Sequence, residues 1–218
     1  LLEDDPYGEL RYEGEHISSL VVLDERRISD TSKGQANAEG FFHGNVIYLS
    51  TFSKTLAPGL RLGWVVAPVE VVRRLVQAKQ GADLHTTTLT QMMVYEVVRT
   101  GFLEGHVREI REVYRERRDA MLRAMERYFP KGVTWTRPQG GLFLWATLPE
   151  EIDTARLLEE AVEEKVAFVP GFAFFADGSG HNTMRLNFSY AAPEMIEEGI
   201  KRLGRVIERR MEKMKAVA

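Results

Sequence analysis

The chain has no cysteine among its 218 residues. That excludes disulfides, thiolate metal sites and cysteine nucleophiles, and it fits a reducing compartment. An excess of either charge is also missing: 29 Lys and Arg stand against 32 Asp and Glu, a net charge of −3. No global basic field points to nucleic acid or anionic lipid, so the expected partner is a small molecule. No apolar run approaches the ~20 residues that span a bilayer, and nothing reads as a signal peptide. Cytosol is the expected location. The five histidines, His16, His43, His85, His106 and His181, lack metal-ligand spacing, and none is assigned to catalysis.

What is present reads as two kinds of segment. The chain opens without Met at LLEDDPY, where two apolar residues run into carboxylates as at the carboxyl end of a strand. VIYLS (46–50) and LGWVVA (62–67) are continuous apolar runs, the pattern of strands covered on both faces in a parallel sheet. Such a sheet needs more strands than these, so an amino-terminal portion carrying them is expected outside this sequence. Residues 24–44, polar and containing Gly, Asn and Ser, read as a mobile surface loop.

Helical signals follow in VEVVRRLVQAKQ and LTQMMVYEVV. From residue 103 to 129, Val107, Ile110, Tyr114, Met121, Met125 and Phe129 recur at three- and four-residue steps, which predicts one long helix. VTWT and GLFLWATL flank the turn-rich RPQGG and read as a hairpin. A helix over 154–164, strands VAFVPG and MRLNFS, and an amphipathic helix from about Pro193 complete an α+β unit. The expected organisation is a cofactor-binding part over 1–102, an interdomain helix over 103–129 and a small domain over 130–218. Trp64, Trp135 and Trp145 read as core.

The stretch STFSKTLAPGLRLGW (50–64) carries the chemistry. Thr51 and Ser53 place hydroxyls beside Lys54, and Arg61 returns after the Pro58–Gly59 turn. Hydroxyls, cations and tight-turn backbone at the carboxyl end of a strand make a phosphate cradle. A Walker loop is excluded because no GxxxxGK[ST] is present, and a Ser-x-x-Lys hydrolase because Thr51 holds the serine position and no KTG follows. A phosphate, a lysine and the acids of EDDPY together suggest pyridoxal phosphate, which needs an amine for its aldehyde and an acid for its ring nitrogen.

With EDDPYGELRY, VIYLSTFSKTLAPGLRLGW, AKQGADLHTTTLTQ, RPQGGLFLWATLP, VAFVPG and NTMRLNFSY all in place, the chain resembles the fold type I aminotransferases of class I/II. It is most similar to the subgroup handling aromatic amino acids, 2-aminoadipate and kynurenine. The resemblance implies an α/β fold: part of a mainly parallel sheet with helices on both faces, plus a smaller α+β carboxyl-terminal domain. It also implies pyridoxal 5'-phosphate as cofactor, an amino acid and a 2-oxo acid such as 2-oxoglutarate as substrates, and a homodimer.

Residue by residue, the resemblance makes Lys54 the lysine that carries the cofactor as a Schiff base. Asp4 matches the partner of the ring nitrogen, with neighbouring Asp5 as the alternative. Tyr7 matches the donor to the ring's phenolic oxygen. Thr51, Ser53 and Arg61 match the phosphate ligands, Thr51 standing where serine is usual. Arg185 matches the arginine that grips the substrate carboxylate. Two other readings share these residues: the aminotransferase-like effector domain of a winged-helix transcription regulator, and a lyase or decarboxylase on the same fold.

Overall fold

In the computed structural model, residues 1–31, 42 and 44–216 are described, and they divide into two compact units, Leu1–Ile110 and Arg111–Ala218. The first unit is built on a sheet of β1 (Leu2–Asp4), β2 (Ile47–Thr51) and β3 (Gly63–Val66), in that order. β1 and β2 are parallel, with Asp4 opposite Leu49. β3 is antiparallel to β2, with Thr51 opposite Gly63, and all four of its residues are exposed. This corrects the expectation of a doubly covered parallel strand for the second apolar run. An apolar run specifies an extended segment, but the connection sets its direction. Residues 52–62 are too few for the crossover of about a dozen or more residues that a parallel return requires.

Helix α1 (Leu20–Thr31) occupies part of the stretch expected to be a loop; residues 32–41 and His43 lie outside the described residues. Its half-buried positions are Val21, Asp24, Glu25 and Ile28, spaced as one helix face. Two of these are carboxylates, so the apolar periodicity is masked. Asp24 is used there: its carboxylate accepts from Asn45 N at 2.5 Å and pairs with Arg27 at 3.1 Å. The backbone hydrogen bond from Asn45 is the main cause of the lowered Asp24 pKa.

Helices α2 (Val69–Ala82) and α3 (Thr88–Val98) follow. Pro68 stands immediately before α2, where its missing N–H costs nothing. α3 leaves Leu89, Met92, Met93 and Tyr95 more than half exposed. Among the described residues no helix is long and apolar enough to cross a membrane.

Helix α4 (Phe102–Tyr128) contains the boundary between the units. The second unit holds an antiparallel sheet in the order β4 (Thr134–Trp135), β5 (Phe143–Thr147), β7 (Thr183–Asn187), β6 (Val169–Pro170). The pleat sorts its side chains. Leu144, Ala146, Met184 and Leu186 are buried on one face, while Phe143, Trp145 and Arg185 on the other are half-buried. The core is completed by Leu157 and Ala161 of α5 (Thr154–Glu163) and by Ile196, Ile200, Leu203 and Ile207 of α6 (Pro193–Lys215). Asp153 caps α5, accepting from Ala155 N and Arg156 N.

β6 is shorter than the apolar run at 166–171. Pro170 has no ladder donor, Phe168 turns into the core, and a 3-10 turn, Gly171–Phe174, begins at once. None of the tryptophans is core: Trp64 is 38% exposed, and Trp135 and Trp145 are half-buried.

α4 and α6 approach closely at Gly204, where an added Cβ would lie 2.3 Å from the Tyr128 backbone oxygen. A helical Gly→Ala change is ordinarily favourable by ~1 kcal/mol. Here the obstacle is backbone, so Gly204→Ala is expected to destabilise the protein by about 1–3 kcal/mol. Denaturant unfolding of the variant would show it; a raised midpoint would mean the helices do not touch there.

Candidate active site

The carboxyl ends of the parallel pair fix the site, as in other open α/β sheets. Asp4 ends β1 and Thr51 ends β2. The chain then leaves the sheet and returns through a loop closed by Phe52 N donating to Leu62 O at 3.1 Å. Inside it, Leu56 N and Ala57 N both donate to Phe52 O, winding residues 52–57 into a compact turn. Thr51 Oγ1 lies 2.8 Å from Leu62 O and 3.0 Å from Ser53 Oγ, and it accepts from Ser53 N at 3.1 Å. Having one proton, Thr51 gives it to the carbonyl and accepts from the Ser53 hydroxyl. The two hydroxyls are thereby held side by side.

Lys54 leaves this turn half-buried, with Nζ 5.8 Å from the centroid of the Tyr7 ring. Among the described residues it makes no hydrogen bond and no ion pair. Arg61 stands just before β3 with φ of 51°, in the left-handed region where a side chain is rarely tolerated. It is exposed, and its Nη1 donates to Pro58 O at 3.1 Å.

The two acids of EDDPY are treated differently. Asp5 is engaged: Oδ1 accepts from Gly8 N at 2.7 Å and Oδ2 from the Tyr48 hydroxyl at 3.3 Å. Burial pushes the Tyr48 phenol up, and the Asp5 charge adds to it, so the hydroxyl remains a donor. Asp4 is exposed and, among the described residues, has no hydrogen-bond or ion-pair partner. Glu3, on the other side of the pleat, accepts from Leu20 N at 2.8 Å and Val21 N at 3.1 Å, which ties β1 to the start of α1.

Asp4, Tyr7, Thr51, Ser53, Lys54 and Arg61 therefore all belong to the first unit, at or beside the carboxyl ends of β1 and β2. Arg185 belongs to the second unit, on β7 opposite Trp145. Its guanidinium carbon is 4.1 Å from the Phe143 ring centroid and 4.5 Å from that of Phe174. The sequence reading did not single out Phe143 or Phe174. The available signal was the aromatic density of FLW and FAFF around the arginine strand.

Residues 3–203 match the family model described as aminotransferase class I and II. The aromatic-amino-acid aminotransferase 1 of Thermococcus litoralis is 49% identical over 213 residues, which are 98% of this chain and 47% of that protein. The 2-aminoadipate transaminase of Thermus thermophilus is 46% identical over 95% of this chain and 49% of its own length. A crystal structure of the alpha-aminoadipate aminotransferase LysN from Thermus thermophilus, complexed with N-(5'-phosphopyridoxyl)-L-leucine, superposes with a TM-score of 0.87 at 44% identity, covering 97% of this chain and 50% of that one. An HTH-type transcriptional regulator of Bacillus subtilis is 33% identical over 97% of this chain and 40% of its own length. The chain spans about half the length of the curated aminotransferases it matches.

Proposed function

Because this chain belongs to the aminotransferases of class I and II, we propose that it supplies the lysine-bearing side of a pyridoxal-phosphate site. The whole protein then moves an amino group from an aromatic or 2-aminoadipate-like amino acid to a 2-oxo acid, with 2-oxoglutarate as the acceptor. The observation that carries this reading is Lys54. Its amine has no hydrogen-bond or ion-pair partner among the described residues, yet it sits in a tightly closed loop beside two paired hydroxyls and Tyr7. A lysine kept without a partner in an ordered turn is poised to react rather than to stabilise the fold.

The donor set fits the cofactor: an amine, a carboxylate, a phenol, two hydroxyls and a guanidinium. Bound there, pyridoxal phosphate supplies an electron sink for the electrons left when a substrate Cα–H bond breaks. The Lys54 amine takes the proton from the Cα of the donor and, in the reverse half-reaction, delivers one to the Cα of the new amino acid. Asp4, whose carboxylate has no partner among the described residues where that of Asp5 is occupied, would accept the ring N–H. Tyr7 would donate its hydroxyl to the phenolic oxygen. The Thr51 and Ser53 hydroxyls and Arg61 would hold the phosphate; Arg61 gives up one contact to Pro58 O in turning to it. Arg185 would grip the substrate carboxylate, its planar fork matching two oxygens at once.

The higher identity to enzymes, 49% against 33% to the regulator, favours catalysis over an effector domain. The test uses the whole protein. Borohydride reduction and peptide mapping are expected to place a phosphopyridoxyl group on Lys54, and a panel of amino donors with 2-oxoglutarate is expected to show turnover. A label on Lys33 or Lys79 would refute the site. A Lys54 label without turnover for any donor would favour the regulator reading.

A further inference from the structure

Arg185 stands over two aromatic rings. Its guanidinium carbon stands 4.1 Å from the Phe143 centroid and 4.5 Å from the Phe174 centroid, inside the ~6 Å over which a ring face attracts a cation. Among the described residues its N–H groups make no hydrogen bond and no ion pair. A guanidinium has two surfaces with different uses: the faces stack on rings, and the edge carries the donors. Rings packed over a guanidinium restrict its movement and, making no hydrogen bond to it, leave its donors unspent. A carboxylate bound bidentately requires that state of the arginine.

The rings come from different parts of the second unit. Phe143 opens β5 opposite Asn187, so it is the diagonal neighbour of Arg185 on one sheet face. Phe174 closes the 3-10 turn after β6. Trp145, directly across from Arg185, packs edge-on against Phe174 at 5.4 Å and so backs the ring that stacks on the arginine.

We propose that Phe143 and Phe174 are positioning residues for substrate carboxylate recognition: they hold the Arg185 guanidinium flat so that its N–H edge is presented to the carboxylate. The proposal rests on the reading of Arg185 as the carboxylate-binding arginine.

The test compares, in the whole protein, an amino acid substrate with the amine obtained by removing its carboxyl group. Phe174 is 47% exposed, so Phe174→Leu keeps an apolar side chain at a surface turn without opening the core, while Phe174→Tyr keeps the ring face. Phe174→Leu is expected to raise KM for both amino acid and 2-oxo acid by about three- to tenfold while kcat moves by less than about twofold. The preference for amino acid over amine, as a ratio of kcat/KM, falls by the same factor, and Phe174→Tyr recovers it. Phe143→Leu is expected to repeat the pattern.

An unchanged preference in both Leu variants, or a Tyr variant no better than Leu, overturns the proposal. Arg185→Lys separates the two levels. If it leaves both KM values unaltered, the reading of Arg185 falls; if it raises them while neither Leu variant does, only the aromatic clamp falls.

Discussion

Replacing Lys54 by alanine in the whole protein is expected to lower kcat by at least about 10²–10⁴-fold, the range a positioned proton-transfer group contributes. The loss has a specific origin. No other lysine lies in the loop of residues 52–62, and the remaining polar side chains there and at Thr51, which precedes it, are the hydroxyls of Thr51, Ser53 and Thr55 and the Arg61 guanidinium, none of them an amine. These same groups remain to hold a phosphate, so the variant is expected to retain cofactor through gel filtration while failing to turn over. The two readouts together matter. Turnover above about a tenth of the parent would remove Lys54 from the proton path, and loss of cofactor with loss of turnover would leave it an anchor only.

The second large effect is at Arg185. Lysine keeps the positive charge but loses the planar fork, and truncating one side of a desolvated charge pair costs about 2–5 kcal/mol. Even the lower end corresponds to a fall in kcat/KM of about 30-fold. On the proposed function, in which both substrates would present the same carboxylate to one site in turn, Arg185→Lys is expected to cost this for the amino donor and for the 2-oxo acid alike. A fall confined to one substrate would show that the other is held elsewhere.

The sequence made much of this legible, for identifiable reasons. The turn at Pro58–Gly59 lets the chain fold back so that Leu62 O meets Phe52 N and Thr51 Oγ1, a local closure contained in fifteen consecutive residues, 50–64. The amphipathic spacing of α6 places Ile196, Ile200, Leu203 and Ile207 in the core, where they are found. What stayed hidden depends on partners far along the chain. α1 shows no apolar stripe because Asp24 and Glu25 occupy its inner positions, and its first amides are satisfied by Glu3 from β1. The direction of β3 follows from the length of a loop, not from the composition of the strand. The engagement of Asp5 by Gly8 N and the Tyr48 hydroxyl could not be read from adjacent letters, because Tyr48 lies 43 residues further along the chain. The two rings over Arg185 could not be read locally, because residues 143, 174 and 185 come together only through the β5–β7 pairing and the turn after β6.

The loop that carries Lys54 is a ring fastened at its base, where Phe52 N and the Thr51 hydroxyl both meet Leu62 O next to the Thr51–Gly63 pair. Everything it displays is fixed by that fastening, so Thr51, Ser53, Lys54 and Arg61 are gained or lost together rather than one at a time. Unzipping the last rung of β2 and β3 would scatter them without disturbing the buried core of the second unit, because local openings need far less free energy than global unfolding. Heat inactivation can then precede melting, and the rate at which the Phe52 amide exchanges with deuterium becomes a measure of how often the molecule is chemically competent.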